Sequence, residues 1–224
     1  MDSGRRGGGS DLATIAFVVT VFLVLAGLAL RRFLPFPSAR PIEEARRIRC
    51  RNNLHQLAKG MAVYLNSYGD GRWYPFPLGR GLEPHDFSGA EWLASLYWTG
   101  TVSDPAVFNC PVSPDINHCG EDLGSTHAVR GRFGSQTVSY AAMHYKSLTD
   151  TAGNPKPGAI PADLSPDEVM ACDDTEGTVN HGASANRGMT VLFFDSHVEY
   201  WTDTKIDLEH AVGKKGGPLW RLRN

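Results

Sequence analysis

The sequence predicts an α+β protein that begins with a transmembrane helix and continues as a domain in which a long helix packs on a small antiparallel sheet. Three observations predict this class. An uncharged apolar run covers 12–30. An apolar seam with four- and three-residue spacing marks a long helix at 46–68. Two β-rich runs, at 189–194 and 197–201, follow near the C-terminus, so helices precede strands.

The apolar run 12–30 predicts a retained membrane anchor. It contains no charged residue and no proline, and its 19 residues would span roughly 28 Å as a helix. A cleaved signal peptide and a buried core helix are the alternatives, but the next letters, LALRRFLP, form a poor cleavage site and the run has no polar stripe. The predicted organisation is a tail at 1–11, a transmembrane helix at 12–30, a proline-rich linker at 31–41 and a soluble domain at 42–224.

The soluble domain has a small negative charge. Residues 42–224 hold 17 basic and 22 acidic side chains, a net charge near −5. The chain has no basic block and no interleaved aromatic stripe, which argues against a nucleic-acid partner. A domain of this length has room for a real core.

Two helices are expected in the first half of the soluble domain. The apolar seam of the first consists of Cys50, Leu54, Leu57, Met61, Tyr64 and Tyr68. This seam could dimerise as a coiled coil, but packing on the chain's own sheet is the simpler expectation. Ser88 and Glu91 have the spacing of a capping box, which predicts a second helix that ends near Gly100.

Four short strands are expected in the second half of the chain. Alternating apolar residues predict strands at 137–145 and 168–172. The run 189–194 predicts a buried strand. Asp195 and Ser196 predict a turn that joins this strand to the next in a β-hairpin.

The cysteines bear on the compartment in which the domain folds. Cys110 and Cys119 lie in a loop rich in proline, glycine and asparagine, where a disulfide could close. Four cysteines allow three complete pairings, and the sequence does not choose among them. Arginines that follow the anchor would by themselves place the domain in the cytoplasm, whereas a disulfide loop fits an oxidising space.

Four motifs occur in a fixed order along 45–201. They are ARRIRCRNNLHQLAKGMAVYLNSYGDGRWYPFP, VFNCP, VSYAAMHY and NHGASANRGMTVLFFDSHVEYW. Together they resemble the type II secretion pseudopilin-like proteins that carry the H-X9-DG C-terminal signature, a DUF1559-like group. His181 and Asp195 occupy the named places of that signature, although 13 residues separate them and Ser196 replaces the glycine.

The resemblance implies a pilin-like domain on a single-pass anchor in the inner (cytoplasmic) membrane, with the C-terminal domain extracytoplasmic. It also implies other pseudopilins or secretion-system components as partners. Gly9 is followed by Ser10, and Asp11 is the only nearby acid, so the usual prepilin processing pattern is not matched. With the proline-rich linker, this favours a permanently tethered component over a filament subunit.

Acidic residues and histidines around the terminal signature form a candidate cation site. The tentative ligands are Asp174, His181, Asp195 and His197. Carboxylates and loop carbonyls would suit calcium, an ion known in secretion pseudopilins, whereas a mixed histidine and aspartate set could hold zinc or another transition metal. The simpler interpretation is an acidic loop with a turn aspartate that caps backbone amides. It implies no cofactor, and we adopt it.

No catalytic residue is predicted. The chain contains neither Gly-x-Ser-x-Gly nor His-Glu-x-x-His. The resemblance implies a membrane-anchored pseudopilin-like protein with a structural or interaction role at the cell envelope, and a link to type II secretion or a pilus-like assembly is the expectation that goes with it. The alternative is a membrane-tethered metal-dependent enzyme or ligand-binding domain.

Overall fold

The computed structural model describes residues 9–33, 39–75, 88–126, 129, 132–134, 136–144, 160–173, 181, 187–208 and 210–223 of the 224-residue chain. The chain divides into two compact units, Met1–Ile42 and Glu43–Asn224. The second unit contains the β-sheet and all the residues of the candidate site.

Helix α1 (Gly9–Phe33) contains the apolar run, and its side chains at 13–29 are exposed. Among the residues that the structure describes, no helix combines the length and the hydropathy that a membrane crossing requires. The predicted transmembrane helix at 12–30 is therefore wrong.

Helix α2 (Ala39–Ser67) turns its apolar seam towards the sheet of the same chain. Cys50 and Leu54 are fully buried, and Met61 is 1% exposed. Cys50 Sγ lies 3.6 Å from the hydroxyl oxygen of Tyr140, which is on the sheet. The predicted packing of this helix on its own sheet is confirmed for the seam from Cys50 to Met61, whereas Tyr68 at its end is 61% exposed.

Helix α3 (Gly89–Trp98) begins at the predicted capping box. Ser88 Oγ accepts a hydrogen bond from the Glu91 amide at 3.2 Å, and Glu91 Oε2 accepts one from the Ser88 amide at 2.8 Å. The start of the helix lies directly against the sheet. A Cβ on Gly89 would stand 2.1 Å from the carbonyl oxygen of Ala142, so only glycine fits there.

The sheet has five antiparallel strands in the order β4-β3-β2-β1-β5. The strands are β1 (Tyr140–Met143), β2 (Val169–Asp173), β3 (Gly188–Phe193), β4 (Val198–Thr202) and β5 (Leu222–Arg223). Every residue of β1, β2 and β3 is buried, so both faces of the central strands are covered. The fold of this unit is α+β with the core on both sides of the sheet.

The strand register determines which strand ends meet. Tyr140 at the start of β1 pairs with Asp173 at the end of β2. Cys172 pairs with Val191, and the Thr190 amide donates to Asp173 Oδ2 at 2.8 Å. The start of β1, the end of β2 and the first half of β3 therefore lie at one end of the sheet.

The predicted hairpin forms between β3 and β4. Asp195 Oδ1 accepts a hydrogen bond from the His197 amide at 2.9 Å across the turn. Ser196 has a left-handed φ of 73°, a conformation that L side chains adopt at some cost. The turn lies at the opposite end of β3 from Thr190.

Candidate metal centre

Four metal-ligating side chains meet at the end of the sheet where β2 finishes. The group consists of Cys50, Cys110, Asp173 and His181, and their ligand atoms all lie within 4.8 Å of one another. All four residues are buried, with at most 1% of any of them exposed. They come from four separate places in the sequence, so tertiary packing assembles the group.

Helix α2 and strand β2 supply the first two members. Cys50 belongs to the helix seam and lies one turn before Leu54, so the same packing that buries Leu54 directs the thiol at the sheet. Asp173 is the last residue of β2. Because side chains alternate along a strand, Asp173 and its neighbour Cys172 point to opposite faces, and Cys172 is outside the group.

Cys110 follows a short 3₁₀ helix (Pro105–Phe108), and two asparagines hold it in place. The side-chain amide of Asn53, on α2, donates through Nδ2 to the backbone carbonyl of Asn109 at 3.0 Å. The side-chain amide of Asn109 in turn donates through Nδ2 to the backbone carbonyl of Thr137 at 3.1 Å. The segment that carries Cys110 is thereby tied both to the helix that carries Cys50 and to the residues that precede β1.

His181 is joined to the start of β3, where the Gly188 amide donates to its carbonyl at 3.1 Å. Its Nε2 lies 3.2 Å from Asp173 Oδ2 and 3.4 Å from Cys110 Sγ. Its Nδ1 lies 3.5 Å from Glu43 Oε1. That contact lacks hydrogen-bond geometry, and the buried Nδ1 has no hydrogen-bond partner among the described residues. The ring therefore directs Nε2 into the group and Nδ1 towards a carboxylate.

The Asp173 carboxylate is the centre of this network. Oδ1 lies 2.5 Å from Cys50 Sγ, while Oδ2 accepts from the Thr190 amide at 2.8 Å and contacts His181 Nε2. A backbone amide therefore holds the carboxylate in a fixed orientation. Buried carboxylates need such partners, since an unpaired one costs several kcal/mol.

Burial and mutual contact shift the pKa values of the group in opposite directions. Burial opposes the charged form of His181, but contacts with Asp173 and Cys110 outweigh it and raise the pKa of the imidazole to about 10. The hydrogen bond with Cys50, assisted by His181, lowers the pKa of Cys110 to about 7 against the effect of burial. Burial and the neighbouring thiol raise the pKa of Cys50 well above its usual value. Near neutral pH the metal-free group therefore contains a cationic His181 beside Cys110, the thiol whose pKa is lowered.

These four buried side chains could hold a metal ion. Two sulfurs, one imidazole nitrogen and one carboxylate form a mixed donor set. Calcium prefers six to eight oxygen ligands, and only one of these four residues offers oxygen. The donor chemistry therefore does not fit the calcium ion that the sequence suggested, and it matches the ligands of softer divalent metals.

Of the three predicted ligands that the structure describes, only His181 belongs to this group. Asp195 and His197 hydrogen-bond to each other at the hairpin turn, with 41% of each side chain exposed, and neither is in the group. The reason is geometric. His181 is hydrogen-bonded to the first residue of β3, whereas Asp195 lies beyond the last residue of β3, so the length of the strand, at about 3.3 Å per residue, separates them. Asp174 lies outside the described residues.

The predicted disulfide between Cys110 and Cys119 is not present. The thiols of Cys110 and Cys119 are both free. Cys110 is buried in the group, whereas Cys119 is exposed on a second short 3₁₀ helix (His118–Gly120). The loop between them therefore holds the two sulfurs in different environments.

Cys50 and Cys110 were not identified as ligands from the sequence, and Asp173 was left out of the four tentative ligands. No pair among them has a short metal-binding spacing such as Cys-x-x-Cys, and Cys50 was interpreted as part of an apolar seam. The one local signal was Asp173, which lies eight positions before His181 at the end of a predicted strand.

Comparisons with protein families, with curated proteins and with solved structures find no match for this chain in any of the three.

Proposed function

We propose that this chain is a structural or interaction protein, not an enzyme, and that its α+β domain is held together by one buried zinc ion. The ligands are Cys50, Cys110, Asp173 and His181. The observation that carries the proposal is the convergence of four ligand atoms, two of them sulfur, within 4.8 Å in a fully buried place.

The distances between the donor atoms suit a tetrahedral ion. Zinc binds sulfur at about 2.3 Å and nitrogen or oxygen at about 2.0–2.2 Å, so its ligand atoms are separated by roughly 3.3–3.8 Å. The contacts of His181 Nε2 with Asp173 Oδ2, at 3.2 Å, and with Cys110 Sγ, at 3.4 Å, fall close to this range. Cys50 Sγ would move about 1 Å away from Asp173 Oδ1 to reach it.

Charge supports a divalent cation in the same place. With both thiols and Asp173 ionised and His181 neutral, the ligands carry three negative charges, and a bound Zn²⁺ leaves one. Glu43 beside His181 Nδ1 supplies the carboxylate that often orients a metal-binding histidine from its other nitrogen. The thiol ligands favour zinc over magnesium and calcium.

The burial of the donors supports a structural role. Catalytic zinc keeps a coordination position open for water or substrate, whereas structural zinc is closed by four protein ligands. Here all four positions are taken by side chains that are at most 1% exposed. The ion would link α2, the Cys110 segment, β2 and the start of β3, so binding it would favour the folded state.

The sequence resemblance still suggests pseudopilin-like partners. A long helix packed on an antiparallel sheet that contains the β3–β4 hairpin supports an architecture of that kind. An interaction role does not require an open coordination position on the metal, which agrees with a centre closed by four protein ligands. Partner identity rests on the resemblance alone.

Metal analysis of the purified full chain tests the proposal. We expect about one zinc per chain by mass spectrometry under native conditions, and cobalt substitution should give tetrahedral visible bands with thiolate charge transfer. Cys50→Ser should abolish stoichiometric binding, and Cys119→Ser, a change at the exposed cysteine, should retain it. A folded wild-type chain that remains metal-free after refolding in excess zinc would contradict the proposal.

A further inference from the structure

We propose that Cys50 and Cys110 are also a disulfide-forming pair, so that the same two sulfurs are held either by the metal or by each other. The competition between the two states rests on the proposed zinc site. The disulfide itself rests only on the position of the thiols.

The two sulfurs are neighbours without being bonded. Both thiols are free, and the two Sγ atoms lie within 4.8 Å of each other in the buried group. A disulfide bond is about 2.05 Å long, so the sulfurs must approach by less than about 3 Å. A change of χ1 rotamer moves a cysteine sulfur while the backbone stays in place.

The remaining cysteines are poor competitors. Cys119 is exposed on its 3₁₀ helix and is outside the group. Cys172 is buried, but it alternates with Asp173 along β2 and so points to the other face of the sheet. Among the described residues, Cys50 and Cys110 are therefore the pair that oxidation would join.

The other two members of the group can remain together when the sulfurs join. Cys50 would give up its contact with Asp173 Oδ1, and Cys110 its contact with His181 Nε2. The Asp173 carboxylate keeps the Thr190 amide and the His181 ring as partners. The disulfide would also fasten helix α2 to the Cys110 segment, which Asn53 already connects. The oxidised domain therefore keeps the link that the metal provided between these two elements.

A hydroperoxide is the oxidant that we propose. One thiolate attacks a peroxide oxygen, the O–O bond breaks, and a sulfenic acid forms as the first water leaves. The second thiolate then attacks the sulfenic sulfur, the S–S bond forms, and the hydroxyl leaves as the second water. With hydrogen peroxide, two thiols lose two electrons and two protons, and one peroxide becomes two waters.

Metal and disulfide exclude each other because both use the same sulfur electron pairs. A thiolate bound to zinc donates to the ion and is a weaker nucleophile for peroxide. After oxidation the sulfurs carry no charge, and the ion keeps only His181 and Asp173. Oxidation should therefore release the metal, and the metal should slow oxidation.

The experiment treats the full chain with hydrogen peroxide, once loaded with zinc and once after chelation. Free thiols are counted after denaturation, the disulfide is located by non-reducing peptide mapping, and released zinc is followed with a colorimetric chelator. We expect the four thiols to fall to two, with Cys50 linked to Cys110, and one zinc released for each disulfide formed. Zinc should slow the reaction by more than about tenfold.

The matched variant carries Cys119→Ser and Cys172→Ser, so that only the proposed pair remains. It should oxidise to the same Cys50–Cys110 disulfide. Adding Cys50→Ser to this variant should leave no disulfide within the chain. If the chelated chain unfolds, the zinc-loaded chain under excess peroxide gives the same information through coupled zinc release and disulfide formation.

The outcomes separate the two proposals. A Cys50–Cys110 disulfide in a chain that never binds zinc supports the pair and overturns the metal function. Stoichiometric zinc with no such disulfide, or with one that involves Cys119 or Cys172, overturns this inference and leaves the metal function standing. Equal oxidation rates with and without bound zinc overturn the competition.

Discussion

Two histidine–aspartate pairs lie at opposite ends of strand β3, and they differ in almost every physical respect. His181 and Asp173 are buried together with two thiols and a backbone amide. His197 and Asp195 face each other on the exposed hairpin turn. Burial alone would lower the pKa of His181, but its contacts with Asp173 and Cys110 outweigh burial and raise the pKa to about 10.

The exposed pair shows what the same side chains do in water. The His197 amide and ring lower the pKa of Asp195, with the backbone hydrogen bond as the largest cause. Solvent screens such a pair, so it contributes little to stability. The comparison teaches that residue identity alone does not make a metal site. Enclosure and sulfur neighbours distinguish the end of β2 from the hairpin.

The largest expected difference between the pairs is in their response to removal of the histidine. His181→Ala leaves the buried Asp173 carboxylate without its cationic partner, and we expect a loss of about 3–5 kcal/mol in the free energy of unfolding together with loss of zinc. His197→Ala should change stability by about 0.5 kcal/mol or less and leave metal content unchanged. Denaturant unfolding with metal analysis of both variants measures the contrast. Equal effects would contradict it.

Zinc should stabilise the domain through the buried pair only. At free zinc about 100 times the dissociation constant, the free energy of unfolding should rise by about 2.7 kcal/mol. The expected gain persists in His197→Ala and is absent in His181→Ala. Thermal or denaturant unfolding across a zinc titration checks this, and a gain retained in the His181 variant would show binding elsewhere.

The metal-free domain should lose stability in alkali. The folded pKa of His181, about 10, exceeds the ordinary value of 6.5, so its contribution is present below pH 6.5 and is lost as pH rises through 10. Cys110 has the opposite shift, from 9.0 to about 7, so the two effects cancel between pH 7 and 9. Above pH 9 the raised pKa of Cys50 adds to that of His181.

We therefore expect the free energy of unfolding of the metal-free protein to fall by at least about 1 kcal/mol between pH 9 and pH 10. Denaturant titrations at pH 8, 9 and 10 in the presence of a chelator measure the fall. His181→Ala should show a smaller fall than the wild type, and His197→Ala should match the wild type.

The smallest expected effect concerns the turn that carries the exposed pair. Ser196 has a φ of 73°, which glycine adopts without strain. Ser196→Gly should therefore raise the free energy of unfolding by roughly 0.5 kcal/mol, with zinc binding unchanged. Thermal unfolding compares the two chains, and a destabilised variant would show that the serine side chain contributes more than its backbone costs.

Local patterns were sufficient for several elements of the fold. The seam that begins at Cys50 and the capping box of Ser88 and Glu91 depend on neighbours within a few residues. The capping box formed as predicted, and the seam is buried from Cys50 to Met61. The hairpin around Asp195 has the same local origin. Strand β5 (Leu222–Arg223) was missed, because two residues paired with β1 carry no periodic signal.

The candidate metal centre could not be predicted in the same way. The sequence suggested histidines and aspartates that are close along the chain, but β3 carries Asp195 away from His181. The true neighbours of His181 come from antiparallel pairing of β2 with β3 and from the packing of α2. The transmembrane prediction at 12–30 rested on the apolar letters alone, and no helix among the described residues combines the length and hydropathy of a membrane crossing.

The spread of the four donors along the chain has a consequence for biosynthesis. Cys50 is translated long before His181, and a nascent chain that ends before His181 lacks both the histidine and strand β3, whose Thr190 amide holds Asp173 in place. The full ligand set therefore exists only after most of the domain has been translated. Such non-local contacts slow folding, so metal capture should be among the last steps in maturation of the protein.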